Sequence, residues 1–147
     1  EKVFAGKLPI QLVHGDFWDN NVFFRNEKVV LITDLDFMGE RPRIDDLALT
    51  LYYTNSTFKD DQLSDSRIKR LKTLVDAYNS GLKEPLSTAE RQALPIAIAR
   101  TPLFMLRYIS LMKTREETAK PIAETLPDLE WALKLLDNLE QWQGIFA

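Results

Sequence analysis

The stretch His14-Gly15-Asp16-Phe17-Trp18-Asp19-Asn20-Asn21 decides the reading of this chain, together with Thr33-Asp34-Leu35-Asp36 and Asp45-Asp46-Leu47-Ala48 further on. Apolar, strand-like runs lead directly into these acids: Gln11-Leu12-Val13 precedes the first group and Val29-Val30-Leu31-Ile32 the second. A sheet delivers carboxylates to one edge of a core in this way. Between them, residues 22–24 and 28–33 read as two strands joined by Arg25-Asn26-Glu27, a hairpin whose Asn tolerates turn geometry. Asn21 precedes the first of these strands and Asp34 follows the second, so the hairpin brings the two together.

Two acids and an amide at one sheet edge suit phosphoryl transfer to a hydroxyl, in which protein groups mainly position reactants and neutralise charge. Asp16, Asn21 and Asp34 fit the jobs of proton acceptor and magnesium ligands. Mg²⁺ takes one or two protein oxygens and completes its shell with water and phosphate. With no Cys and one His, zinc is disfavoured.

The series His14-Gly-Asp-x-x-x-x-Asn21, Ile32-Thr-Asp34, Gly39, Pro42 and Asp46-Leu-Ala48 resembles the aminoglycoside phosphotransferase and choline kinase superfamily, whose fold is that of the protein kinases. The resemblance implies Asp16 as catalytic base, Asn21 and Asp34 as magnesium ligands, and ATP as phosphoryl donor. It also implies that His14 orders its loop and that Asp46 is a structural acid beginning a helix. Asn20 competes with Asn21 for the metal, and the family spacing selects Asn21. Two features depart from the pattern. Phe17-Trp18-Asp19 makes an aromatic wall on the substrate side, with Asp19 either at the substrate or in water. Asp36 is acidic in only some relatives, and its role, outer-sphere or substrate contact, stays open.

Composition bounds the rest. A chain of 147 residues, 45% hydrophobic and 28% charged, is one domain able to bury a core. A net charge of −3 with interspersed signs gives no basic stripe for nucleic acid. No apolar run spans a membrane, residues 1–7 are too polar for a signal peptide, and the lack of cysteine fits a reducing cytoplasm. The five glycines, at positions 6, 15, 39, 81 and 144, form no glycine-rich loop over nucleotide phosphates. The expected organisation is therefore α+β and mainly helical: residues 1–147 as the C-terminal catalytic lobe of a small-molecule kinase, with a short hairpin carrying the catalytic and metal-binding loops. The N-terminal nucleotide-binding lobe is expected to be absent from the chain, leaving it inactive alone. The acceptor is a hydroxyl of an aminoglycoside, choline-like or other amino alcohol, sugar or amino acid. The rival reading is a non-enzymatic binding lobe of a degenerate kinase relative.

Beyond the motif, residues 37–44 contain Gly39 and Pro42 and read as a loop, in which Arg41 and Arg43 face solvent, make a structural salt bridge or bind phosphate. A helix opens at Asp45. Residues 54–61 form a polar connector, and Ile68, Leu71, Leu74, Val75 and Tyr78 repeat at helical spacing up to Gly81. Ser87-Thr88-Ala89-Glu90 has capping-box spacing and starts a helical stretch over residues 88–113, which Pro95 and Pro102 kink or divide. Leu103, Phe104, Leu106, Tyr108, Ile109 and Leu111 read there as core. A final helix spans residues 127–143, buried through Leu129, Ala132, Leu133, Leu136, Leu139 and Trp142, with Trp131 also packing.

Overall fold

The computed structural model describes residues 8–54, 64–112 and 114–147. Among them, four strands lead into six α-helices. Strand β1 (Ile10–Val13) pairs antiparallel with β4 (Gly39–Pro42), Ile10 facing Pro42 and Val13 facing Gly39. Strands β2 (Val22–Arg25) and β3 (Lys28–Ile32) form the expected hairpin, with a register shift between Phe23 and Phe24. Its turn residues, Asn26 and Glu27, both have positive φ, 50° and 62°. Such a turn matches the right-handed twist of the strands. Asn accepts that conformation readily, Glu far less so.

Helices α1 (Ile44–Thr54) and α2 (Asp65–Ser80) are followed by α3 (Thr88–Arg100) and α4 (Pro102–Ile109), then α5 (Arg115–Asp137) and α6 (Leu139–Phe146). The core lies between the helices. Ile44, Leu47, Ala48 and Leu51 make one stripe of α1, and it meets Ala93, Leu94, Ala97 and Ile98 of α3. Alanines at that seam let the two backbones approach closely. Leu71 and Val75 of α2 and Trp131, Leu135, Trp142, Ile145 and Phe146 of α5 and α6 complete the core.

Several expectations need correction. Residues 39–42 are a strand, because β4 sits at the edge of a two-stranded sheet, where a terminal proline costs no ladder bond that the sheet needs. The strand expected from residue 8 begins at Ile10. The stretch 88–113 divides at Thr101, before Pro102, while Pro95 stays buried inside α3. Leu103, Phe104, Leu106 and Leu111 are exposed and only Ile109 is buried, since α4 packs mainly against α5 and leaves its outer stripe in water. The side chain of Tyr108, residues 1–7 and the connector after Thr54 lie outside the described residues.

The last helix starts well before residue 127. Thr114 and Glu117 form a capping box, the Glu117 amide donating to Thr114 Oγ1 at 3.1 Å and the Thr114 amide to Glu117 Oε2 at 3.2 Å. Pro121 and Pro127 lie within α5, and the chain breaks instead at Asn138. Leu133 and Leu136 are exposed, whereas Trp131, Ala132 and Leu135 are buried, as are Trp142, Ile145 and Phe146 of α6.

Arg43 ties the sheet end to the helices. Its guanidinium forms a bidentate pair with Glu90, Nε to Oε1 at 2.5 Å and Nη2 to Oε2 at 2.9 Å, and donates to the carbonyls of Glu84 and Pro85. Its own carbonyl accepts from the Tyr78 hydroxyl, and its amide donates to Pro9 O. Glu90 is also the acid of the expected Ser87 capping box. Of the readings open for Arg43, the structural salt bridge is the one observed.

Candidate active site

The chain leaves β1 at Val13 and turns at Gly15, whose φ of +81° favours glycine. Space forbids anything larger, because a Cβ there would collide with the Phe37 carbonyl oxygen and meet Arg41 Nη2 at 3.0 Å. Arg41 itself donates to Phe37 O at 2.6 Å. The backbone at this turn has two free amides, and both are taken by one carboxylate. Asp46 Oδ2 accepts from His14 N and Oδ1 from Gly15 N, each at 2.8 Å. Asp46 thus ties the first turn of α1, where it lies, to the loop that follows β1. One turn on, Thr50 Oγ1 lies 2.7 Å from Phe17 O and 2.8 Å from Asp46 O. Thr50 escaped the sequence reading, although its position four residues after Asp46 puts both on one face of α1.

His14 makes contacts on the other side of the loop. Its Nε2 lies 2.8 Å from the Thr33 carbonyl and its Nδ1 accepts from the Asp16 amide at 3.2 Å. A carbonyl only accepts and an amide only donates, so these two contacts suit the tautomer with its hydrogen on Nε2. The histidine thus spans from the loop to the residue before Asp34, and makes an edge contact with Phe17 at 5.8 Å.

Asn21 is the junction. Its Nδ2 donates to both the main-chain oxygen and Oδ2 of Asp16, at 2.9 Å each, while its carbonyl accepts from Thr33 N at 3.0 Å. Facing two acceptors, the amide group must present its nitrogen, which leaves Asn21 Oδ1 available as a ligand oxygen. Asn21 is buried and Asp16 half-buried, whereas Asp19, Asn20, Asp34 and Asp36 are exposed. Asp34 holds a left-handed conformation, φ 62° and ψ 61°, ahead of a single 3-10 turn at Leu35–Phe37. A non-glycine residue there is strained. Asp16, Asn21 and the start of the Asp34 turn are therefore brought together by direct bonds, while Asp19 and Asp36 have no hydrogen bond to that group among the described residues.

Aromatic rings line the loop. Trp18 stacks on Tyr53 with centroids 4.7 Å apart, and Tyr53 meets Tyr52 edge-on at 5.0 Å. Burial pushes the Tyr53 hydroxyl above its ordinary pKa, reinforced by the charges of Asp16 and Asp128. Burial likewise raises Tyr52, whose hydroxyl bonds to Asp128. Asp45 is also raised by burial, partly opposed by its 2.8 Å ion pair with Arg100. Tyr53 and Asp128 had no signal in the sequence, being 37 and 112 residues away from Asp16 with nothing regular between.

Among the described residues no group of three or more His, Cys, Asp or Glu could hold a metal ion. No helix there is long and apolar enough to cross a membrane. No solved structure matches the chain. It is 27% identical over 128 residues to a homoserine kinase of Rhodopseudomonas palustris (strain BisA53), a match covering 87% of this chain and 37% of that protein. The chain thus spans well under half the length of that relative. A model of the phosphotransferase enzyme family matches residues 2–93, more than half of the 147. The match contains the loop, the hairpin and Asp16, Asp34 and Asp46, and the chain belongs to the phosphotransferase enzyme family.

Proposed function

We propose that this chain provides the catalytic face of an ATP-dependent kinase that phosphorylates a hydroxyl group of a small molecule. The observation that carries the reading is the Asp16–Asn21 bond of 2.9 Å, made while Asn21 O holds the strand end that leads into Asp34. Asp16 is the base. One of its oxygens is engaged by Asn21 and the other takes the proton of the acceptor hydroxyl, as the acceptor's own oxygen attacks the γ-phosphorus and the bond to ADP breaks. Asn21 Oδ1 and the Asp34 carboxylate are hard oxygen donors suited to Mg²⁺, which when bound neutralises charge on the phosphate oxygens. The strained backbone of Asp34 fits a residue held for metal contact rather than for packing.

The supporting residues act through the base. His14 and Asp46 hold the loop from two sides, so Asp16 is presented without reorganisation. Asp19 and Asp36, both exposed, are assigned to the rim facing substrate and metal-bound water. The nucleotide's other wall is assigned to a further lobe of the same polypeptide, without which this lobe does not turn over. The length ratio to the homoserine kinase relative supports that division.

The acceptor class includes amino alcohols, aminoglycosides, sugars and hydroxy amino acids, homoserine among them. The test is a screen of these acceptors with the full-length protein, ATP and Mg²⁺, following ADP release. Acceptor-dependent ADP formation is the expected result, and nucleotide turnover with none of them would refute the reading.

A further inference from the structure

We propose that Arg41 is a positioning residue for the phosphoryl-transfer step: its guanidinium latches the Leu35–Phe37 turn onto the Gly15 turn, and so holds Asp34 in register with Asp16. The inference rests on the phosphotransferase reading and adds a residue to its machinery. Arg41 lies in β4 opposite Gln11 of β1, on the same face of the ribbon as Gly39. Its side chain runs back past Gly39, where a Cβ would lie 3.7 Å from Nε, and ends at the turn that follows Asp34. There Nη2 donates to Phe37 O at 2.6 Å. The same nitrogen and the same oxygen are what a Cβ on Gly15 would meet, Nη2 at 3.0 Å. Three elements therefore converge on the Phe37 oxygen: the Gly15 turn just before Asp16, the 3-10 turn just after Asp34, and the side chain of Arg41 from β4.

Asp34 needs such a hold. Its φ of 62° and ψ of 61° are uncommon for a residue with a side chain, and it makes no side-chain capping bond to the turn that it precedes. Backbone of that kind persists only where its surroundings over-determine it. The aim of the carboxylate therefore depends on what grips the chain on either side. Upstream, Thr33 is gripped twice: its amide donates to Asn21 O at 3.0 Å, and its carbonyl lies 2.8 Å from His14 Nε2. Downstream, the turn closes on itself through Met38 N to Leu35 O at 3.1 Å, and Arg41 supplies a bond from outside it. A guanidinium suits this job, because its positive charge strengthens the bond to a carbonyl oxygen and its planar fork loses little freedom on bonding. Arg43, two residues on, turns instead to Glu90. Of the two arginines, Arg41 is the one that meets the catalytic turn.

The test uses the full-length protein and its Arg41→Ala and Arg41→Lys variants. Phosphorylation is followed with ATP, Mg²⁺ and each acceptor of the proposed class, and amide hydrogen exchange of residues 33–39 is followed without nucleotide. In Arg41→Ala, kcat should fall by about 10- to 100-fold, the scale of a displacement near 1 Å, while KM for ATP and for the acceptor moves little. Exchange across residues 33–39 should quicken by about tenfold, with that of α1 and α3 unchanged. Arg41→Lys keeps a charged donor and should recover most of both losses, and free guanidinium ion should restore part of kcat to Arg41→Ala. A kcat close to that of the unsubstituted protein, or unchanged exchange across residues 33–39, would overturn the latch. A higher KM for ATP at constant kcat would overturn it by making Arg41 a phosphate contact. Faster exchange throughout α1 and α3 would overturn it by making Arg41 a general stabiliser. The exchange measurement needs no turnover, so it judges the latch even where the unsubstituted protein phosphorylates no acceptor, a result that sinks the kinase reading instead.

Discussion

Asp46 and Gly15 are joined by a 2.8 Å bond from the Gly15 amide to Oδ1, matched by one from His14 to Oδ2, so a single carboxylate on α1 fixes the turn that presents Asp16. Charge-assisted bonds to main-chain amides are worth about 1.5–3 kcal/mol each. Asp46→Asn replaces one acceptor by a donor facing a donor. It should lower stability by roughly 2–3 kcal/mol in urea titration and reduce turnover by displacing Asp16. Unchanged stability would show that the two amides find water instead.

Gly15→Ala tests the same turn from the opposite direction. A methyl group meets the Phe37 carbonyl and a φ of +81°, so the variant should lose more than about 1 kcal/mol and open the contact between the loop and the Leu35–Phe37 turn. A thermal melt compared with that of Gly144→Ala, where a Cβ meets nothing within 4 Å, separates steric cost from loss of glycine in general.

The loop was legible in the sequence because its parts are local. His14, Asp16 and Asn21 lie within eight residues, and one short hairpin carries the chain to Asp34. The capping box at Ser87 and the spacing of Leu71 and Val75 were equally plain, since each depends on neighbours three or four residues apart. What was hidden depends on tertiary partners. Nothing near Pro42 shows that β1 will pair with it, and nothing near Leu133 shows that α5 will pack through Trp131, Ala132 and Leu135 instead. The loop's aromatic wall was half visible: Trp18 was read, but Tyr53 and Asp128 arrive from separate helices.

The Arg43–Glu90 pair should dominate acid sensitivity. Glu90 is 1% exposed, and burial alone would raise its pKa, but the bonds from Arg43 and Ser87 outweigh burial and hold it below its ordinary 4.5. A carboxylate depressed on folding contributes stability that is complete above its ordinary pKa and lost as pH falls through the folded value. Melting temperature should therefore drop steeply below pH 4.5. In Glu90→Gln that component should vanish, with a loss of about 3–5 kcal/mol at neutral pH from leaving Arg43 buried without its anion.

The β2–β3 turn offers a gain. Glu27 sits at a φ of 62°, and Glu27→Gly should stabilise the hairpin by about 0.5–1 kcal/mol. A rise in the urea midpoint at constant slope is the expected readout, and a fall would mean that the Glu27 side chain contributes more than its backbone costs.

The central claim is that Asp16 removes the proton from an acceptor hydroxyl. Its most direct test is the rate of ATP-dependent phosphorylation by the full-length Asp16→Asn protein, since Asn keeps the size of the side chain but not its basicity. The rate constant kcat should fall by roughly 10²–10⁴, with nucleotide binding little changed. Turnover within a few-fold of the unsubstituted protein would contradict the account.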